Sequence, residues 1–333
     1  MAVSDGIGAP RSAPSSPALP APVGEAADHA RRRNSAGVLF GVGAYVLWGL
    51  LPLYFLFLVP AGPVEIVASR IMFSLVFCAV LLTVLRSWPA ALAAGRNPRI
   101  VGTLAVAAVL IAANWVTYVW AVLNGHAVEA ALGYFINPLV SVLLGVLVLK
   151  EKLRPLQWVA VGVGSVAVLV LALAYGSVPW VSLVLAFSFG LYGLLKKRVG
   201  GKVDAVSSLT IETAVLTPLA AAAMVWLSLN GTATILANGP GHFWLLAASG
   251  VITAVPLIFF GAAAGRLPLS TLGMLQYLAP ILQFVLALTI FGEAMPPERW
   301  AGFALVWVAL AILTADMVGG PRRARELRAA AAG

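Results

Sequence analysis

Two charged residues, Arg70 and Glu212, lie inside long apolar stretches of this 333-residue sequence. A charge near the centre of a membrane helix costs at least about 2.5 to 3.5 kcal/mol and rarely persists without a partner or water. Arg70 suits a fixed cation for an anionic or zwitterionic ligand, and Glu212 suits a protonatable group that couples its charge to transport. The alternative is that both are structural, satisfied by backbone carbonyls, hydroxyls or each other.

A second set of candidate residues is polar or aromatic and falls near the middle of other apolar stretches. Tyr134, Asn137 and Ser141 are spaced so that they share one helical face. Pro138 removes a helix hydrogen bond and frees a carbonyl, and Pro280 does the same later in the chain, so both are gate or hinge candidates. Aromatic stripes often only pack, but the whole set favours a central polar cavity. The residues expected to line it are Trp48, Arg70, Asn114, Tyr118, Tyr134, Asn137, Gln276 and Tyr277.

Three other carboxylates lie near the ends of apolar stretches. Glu65 is close enough to an end for us to expect it to be solvated. Glu151 and Glu293 each precede a proline that starts the next helix, which suits a charged helix-start position or a loop brace. The sequence therefore predicts structural roles for all three.

The composition requires a membrane to bury these stretches. Hydrophobic residues make up 61% of the chain, charged residues 10%, and the mean hydropathy is +0.99. A helix needs about 20 apolar residues to cross a hydrocarbon core of about 30 Å. We therefore expect an all-α polytopic membrane protein with ten transmembrane helices, at residues 36–58, 64–85, 101–123, 127–149, 155–174, 178–197, 206–229, 242–264, 269–291 and 298–319.

The second half of the chain repeats landmarks of the first half at a fixed offset. Four residues recur 142 positions later: Pro138, Glu151, Pro155 and Trp158 as Pro280, Glu293, Pro297 and Trp300. Arg70 and Glu212 are separated by the same 142 positions. Five spans per repeat is an odd number, so the second repeat enters the membrane in the opposite orientation. Repeats of this kind are typical of secondary transporters.

Positive charges set the expected topology. Of the 21 lysines and arginines, nineteen fall in the two tails or in loops on the same side as the tails. Cytoplasmic loops retain such charges, so both termini are expected in the cytoplasm of a plasma-membrane protein. The expected organisation is a disordered tail at 1–35, five-helix repeats at 36–175 and 176–319, and a basic tail at 320–333.

Several classes of function are excluded by what the sequence lacks. The net charge of +9 is segregated by membrane insertion and lipid headgroups, so we expect no nucleic-acid partner. A single cysteine, scattered histidines and the absence of HExxH, GxSxG and phosphate-loop motifs argue against an enzyme, a metal site or a cofactor. No repeated filter or ring of like charge indicates a channel.

Short motifs give the chain a resemblance to a known family. They are Trp48-Gly49, Glu65 with Ser69-Arg70-Ile71, Asn114-Trp115 with Tyr118 and Trp120-Ala121, Gly133-Tyr134-Phe135-Ile136-Asn137-Pro138-Leu139, and Leu272-Gly273 with Gln276-Tyr277 and Pro280. On these residues the chain resembles the EamA-type drug/metabolite transporters, and within them the RarD-like permeases. The resemblance implies ten helices, a plasma-membrane location and export or exchange of small solutes.

The expected function is a secondary transporter that exports or exchanges a small organic metabolite by alternating access. A translocase of lipids or amphipathic drugs that uses the same groove is the alternative. The expected partners are the substrate and the lipid bilayer, and the sequence leaves a homodimer open. It does not choose between proton coupling and exchange, and it names no substrate.

Overall fold

A computed structural model describes residues 23–150, 155–175, 178–199, 202–264, 266–267 and 275–330. These residues form eleven α-helices and contain no strand. In chain order they are α1 (Val23–Phe57), α2 (Pro63–Val84), α3 (Trp88–Gly95), α4 (Pro98–Leu123), α5 (Ala127–Leu149), α6 (Pro155–Tyr175), α7 (Trp180–Val199), α8 (Ala205–Leu229), α9 (Gly239–Ala264), α10 (Leu278–Thr289) and α11 (Pro297–Ala330).

Local sequence explains where several helices begin. A proline starts each of α2, α4, α6 and α11, where its missing N–H costs nothing and its fixed φ suits the first turn. Side chains also cap the first backbone N–H groups of two helices, α4 and α8. Asn97 accepts from the amide of Arg99 at 3.1 Å, and Asp204 accepts from the amide of Ser207 at 2.9 Å. These caps fix the entry points of α4 and α8.

Eight of the described helices are long and apolar enough to cross a membrane. Two of the ten predicted spans correspond to shorter apolar helices, Trp180–Lys196 within α7 and Leu278–Thr289. Most of the first half of the predicted ninth span, residues 269–291, lies outside the described residues. The short α3 was not predicted.

The described helices extend into both predicted tails. α1 begins at Val23 and α11 ends at Ala330, beyond the expected boundaries at 36 and 319. Residues 1–22 and 331–333 lie outside the described residues. The disorder expected for residues 1–35 thus stays a prediction for 1–22, whereas α1 already includes 23–35.

The helix contacts come in matched sets. The contact between α1 and α9 matches that between α7 and α4. The contact between α5 and α7 matches that between α10 and α1. The contact between α2 and α9 matches that between α8 and α4. The remaining large contacts join α2 to α8, α5 to α10 and α6 to α11. Each of these large contacts therefore has a counterpart, or is its own, when helices of the first half are exchanged for those of the second.

Glycines allow two of these crossings to be close. A Cβ on Gly250 of α9 would lie 2.4 Å from the backbone carbon of Phe73 on α2. A Cβ on Gly133 of α5 would lie 2.8 Å from the carbonyl oxygen of Ser182 on α7. Close helix approach through small residues is how membrane helices gain packing contacts, so these positions hold the two halves of the chain together.

Candidate functional site

Arg70 is buried between α2 and α9, with only 4% of its surface exposed. Its Nε donates a hydrogen bond to Oγ1 of Thr253 at 3.0 Å. The guanidinium carbon lies 4.7 Å from the ring centre of Trp115 and 5.6 Å from that of Phe55. Nη1 is buried and has no hydrogen-bond acceptor among the described residues. The cation is therefore held by aromatic faces and one hydroxyl, and keeps an unused donor.

Two tyrosines extend this aromatic surface from α4 to α5. The ring of Tyr118 lies 5.9 Å from Phe55 and 5.5 Å from Tyr134. The hydroxyl of Tyr118 is buried and makes no hydrogen bond within the described part of the chain. We call Arg70, Phe55, Trp115, Tyr118 and Tyr134 the Arg70 cluster.

Asn114 fixes one edge of the Arg70 cluster. Its Oδ1 accepts a hydrogen bond from the Tyr134 hydroxyl at 2.9 Å. Its Nδ2 donates to the carbonyl oxygen of Leu185 at 3.1 Å and to Oγ of Ser188 at 3.0 Å, both on α7. Asn114 is only 1% exposed, so its hydrogen bonds are shielded from solvent and fix the side-chain conformation of Tyr134.

Trp48 belongs to a second aromatic group on α1 and α9. Its ring lies 5.4 Å from Tyr45 and 5.9 Å from Phe260. Gln283 of α10 donates from Nε2 to the Trp48 carbonyl oxygen at 3.1 Å. Trp48 thus contacts helices of the second half but packs with a different set of rings from the Arg70 cluster.

The other predicted cavity residues lie on α5 and just before α10. Asn137 is buried beside α7, where a Cβ on Gly190 would be 3.6 Å from its Oδ1. Gln276 and Tyr277 form a half-buried turn that directly precedes α10. Pro280 lacks the N–H that would bond to the Gln276 carbonyl, so the turn falls where the proline weakens the helix.

Glu212 has its own partners on α7 and α8. Its carboxylate accepts from Nζ of Lys196 at 2.6 Å, from Oγ of Ser208 at 3.0 Å and from the Tyr192 hydroxyl at 3.2 Å. Glu212 is 2% exposed. Arg70 and Glu212, which stand at equivalent sequence positions, therefore do not pair with each other, and only Glu212 is charge-balanced within the described residues.

Glu65 is held by the connection between α8 and α9. Its carboxylate accepts from the amides of Thr234 at 2.7 Å and Ile235 at 2.8 Å, and from the Thr234 hydroxyl at 2.9 Å. The same hydroxyl lies 2.8 Å from Nε2 of His242. Glu65 is 1% exposed, so the expectation that it is solvated was wrong. A loop distant in sequence folds over it and supplies the donors that water was expected to provide.

Glu293 makes a matching contact from the second half to the first. Its carboxylate accepts from the amides of Ala127 at 2.5 Å and Val128 at 2.8 Å, the first residues of α5. The predicted loop brace is thus confirmed for Glu293, which caps a helix of the other half. Glu151 lies outside the described residues. We call the Glu65 and Glu293 contacts the two carboxylate clasps; both lie at the end of the bundle where α2 and α5 begin.

Comparisons with known proteins identify the chain. Residues 35–173 match the EamA-like transporter family. Protein RarD of Streptomyces exfoliatus is 54% identical over 91% of this chain and 96% of its own length. The chain belongs to the EamA family, as a RarD-like permease. Protein RarD of Escherichia coli is 42% identical over 88% of this chain and 98% of its own length. An uncharacterized transporter of Pseudomonas aeruginosa is 47% identical over 86% of this chain and 96% of its own length.

A solved crystal structure has the same fold as this RarD-like permease. It covers 84% of this chain and 97% of its own chain with a TM-score of 0.55, at 20% identity. The family and the helices together make the protein a multi-pass membrane transporter and not an enzyme. The resemblance found in the sequence motifs is confirmed.

Sequence reasoning missed several residues of this permease that surround its buried charges. Trp115 and Phe55 stack on Arg70, Thr253 accepts from it, and Lys196 pairs with Glu212. Trp115 could have been found, because it follows Asn114 directly. Lys196, at the end of the predicted span 178–197, was counted only among the positive charges on the cytoplasmic side, since nothing in the linear sequence shows that its long side chain reaches a carboxylate on the next helix.

Proposed function

We propose that this RarD-like permease carries a small organic metabolite out of the cell, or exchanges it, by alternating access across the plasma membrane. In this proposal it has ten spans in two inverted five-helix repeats, at 36–175 and 176–319, with both termini in the cytoplasm. The matched helix contacts support the repeats, because inverted repeats pack as pseudo-symmetric pairs. The 142-residue offset of the sequence landmarks supports them independently.

The observation that carries the proposal is the pair of carboxylate clasps. Glu65 of the first repeat binds backbone amides of the second, and Glu293 of the second repeat binds amides of the first. The positive-inside pattern assigns this end of the bundle to the outer face. Two reciprocal clasps that join the repeats at one face are what a carrier closed on that face needs, because both must be released before that face can open.

The candidate substrate residues lie inward of the clasps. The Arg70 cluster is built from α1, α2, α4 and α5 of the first repeat and contacts Thr253 on α9 of the second. Trp48, Asn114, Asn137, Gln276 and Tyr277 extend the proposed cavity toward the membrane midplane. A site between repeats experiences their relative motion directly, which is how substrate binding is coupled to a change of access.

Two further roles belong to the same proposal. Pro138 interrupts the backbone hydrogen bonds inside α5, and Pro280 lies in the first turn of α10, next to the turn at Gln276 and Tyr277, so both serve as hinges where the repeats meet. Glu212 is the coupling group, and its pairing with Lys196 gives it a specific mechanism. A proton that neutralised Glu212 would break a 2.6 Å ion pair between α7 and α8 and free Lys196 to move.

The test combines export with a reversible lock on one clasp. In a Cys78→Ala background, Glu65→Cys and Thr234→Cys would be joined by a short thiol cross-linker that a reducing agent cleaves. The metabolites outside cells expressing this variant would be compared before and after reduction. We expect one metabolite to be enriched outside by the wild type and by the reduced variant, but not by the cross-linked one.

The single-cysteine variants, treated with the same reagent, control for modification alone. Equal enrichment by cross-linked and reduced protein would contradict an outer gate at this clasp. No enrichment by any form, at membrane levels matched to the wild type, would contradict the exporter and favour import or lipid handling.

A further inference from the structure

We propose that the Arg70 cluster binds the carboxylate of a small, apolar organic anion, and that this anion is the substrate. That the anion is the substrate rests on the proposed transport function, whereas its binding follows from the chemistry of the cluster alone. The proposed ligand is a monoanion, whereas the sequence left anionic and zwitterionic ligands open.

Arg70 lacks a counter-charge among the described residues. Glu212 and Arg70 are buried to the same degree, at 2% and 4% exposure. Glu212 has three donors, one of them cationic, whereas Arg70 has one hydroxyl acceptor and no ion pair among the residues described. A buried charge is normally paired, because its desolvation is too costly otherwise. A ligand anion supplies the partner that the protein does not.

Two hydrogen-bond donors of the cluster are unused. Nη1 of Arg70 and the hydroxyl of Tyr118 are both buried without a hydrogen-bond partner in the described ranges. Both residues pack on the ring of Phe55, at 5.6 Å and 5.9 Å. A carboxylate offers two acceptor oxygens and one negative charge, so it satisfies two donors and one cation together. A phosphate dianion would leave an unbalanced negative charge in an apolar site.

The surroundings of the cluster restrict the rest of the ligand. The guanidinium lies against the rings of Trp115 and Phe55, and the rings of Tyr118 and Tyr134 continue this apolar surface. No acidic side chain hydrogen-bonds to any residue of the cluster within the described part of the chain, so the cluster offers no carboxylate to pair with an ammonium group. The site therefore selects an apolar or aromatic monocarboxylate over an amino acid.

The experiment uses the purified full-length chain in detergent, with sodium benzoate as the probe. Benzamide serves as the neutral isostere and phenyl phosphate as the dianion. The midpoint temperature of unfolding would be measured against the concentration of each at constant ionic strength. We expect benzoate to raise the midpoint saturably and benzamide to leave it unchanged. Phenyl phosphate should need at least a tenfold higher concentration for the same effect.

Matched variants assign the binding to one arginine. Arg70→Met should weaken the benzoate response at least tenfold. Arg266→Met should keep it, because Arg266 is exposed at the end of α9 and stacks on Phe40 at 5.4 Å without being part of the cluster. An equal loss in both variants, no difference between benzoate and benzamide, or tighter binding of phenyl phosphate would each overturn the proposal.

Unliganded stability separates a ligand-binding arginine from a structural one. Arg70→Met removes an unpaired buried charge, and Thr253 keeps its own hydrogen bond to the Ser249 carbonyl at 2.7 Å. We therefore expect its unfolding midpoint to equal or exceed that of the wild type. A lower midpoint would show a structural role. Export without benzoate binding would refute the anion site alone, and benzoate binding without export would refute the transport proposal alone.

Discussion

Replacing Glu65 by alanine is expected to open the outer clasp. The change removes three hydrogen bonds to a carboxylate and leaves the amides of Thr234 and Ile235 without their acceptor. Leaving a buried donor unsatisfied costs about 1 to 3 kcal/mol. Both loop residues are only half-buried, so water offsets part of this loss. The closed clasp is then less stable by about 3 kcal/mol relative to the open one, which is about a 100-fold rise in the open population.

Glu65→Gln is the matched control for the charge. The amide oxygen can accept from both backbone N–H groups, as one carboxylate oxygen does now. The amide nitrogen can donate to the Thr234 hydroxyl, whose own proton then turns to Nε2 of His242. Only the charge assistance of these hydrogen bonds is lost. We therefore expect the closed clasp to lose about 1 kcal/mol of stability, which is about a fivefold rise in the open population.

Hydrogen–deuterium exchange read by mass spectrometry measures this opening. The amides of Thr234 and Ile235 should exchange about 100-fold faster in Glu65→Ala and about fivefold faster in Glu65→Gln. Peptides from α6 should keep the wild-type rate in all three proteins. Unchanged exchange in the alanine variant, or equal exchange in both variants, would refute the reasoning, because the carboxylate would then not hold the loop.

Three other predictions concern stability. Gly250→Ala should lower the free energy of unfolding by about 1 to 3 kcal/mol, because its Cβ would meet the α2 backbone at 2.4 Å, whereas Gly162→Ala, at an exposed glycine with nothing within 4 Å, should not. In a double-mutant cycle, Lys196→Met should destabilise by about 3 kcal/mol, and adding Glu212→Gln should restore more than half. Burial tends to raise the pKa of Asp204, but hydrogen bonds from Ser207 outweigh it and hold that pKa below its usual range. Asp204→Ala should therefore cost about 1 kcal/mol at neutral pH, a difference that disappears in acid once the wild-type carboxylate is protonated.

Each of these predictions has an outcome that contradicts it. Equal midpoints for the two glycine variants would mean that α2 and α9 do not approach as closely as described. Additive effects of the Lys196 and Glu212 changes would mean that the pair is not coupled. A destabilisation by Asp204→Ala that persists in acid would mean that the charge of the cap is unimportant.

The spans were predictable to the extent that hydrophobic length alone decides them. Eight described helices are long and apolar enough to cross. α10 is shorter than the predicted ninth span, because the turn at Gln276 and Tyr277 directly precedes it. α3 was missed, because an eight-residue helix in a loop has too few residues for a periodic signal.

The site was predictable only where a residue is anomalous by itself. Arg70 is a charge in an apolar stretch, so its burial could be expected from position alone. Glu65 was misjudged, because its donors come from Thr234 and Ile235, 169 and 170 residues away. Sequence distance hides such partners, and the linear pattern around Glu65 resembles that of a solvated helix start. The exposure of a terminal charge depends on which loop covers it.

The most direct test of the account is whether access to the Arg70 cluster alternates between the two membrane faces. Tyr118→Cys in a Cys78→Ala background provides one reporter thiol, to be labelled by an impermeant maleimide in right-side-out and inside-out vesicles. The outer face should be protected when both clasps are intact. Adding Glu65→Ala and Glu293→Ala should raise labelling from outside and lower labelling from inside. Labelling that rises from both faces together would indicate a continuous pore, and labelling that changes at neither face would remove the clasps from the mechanism.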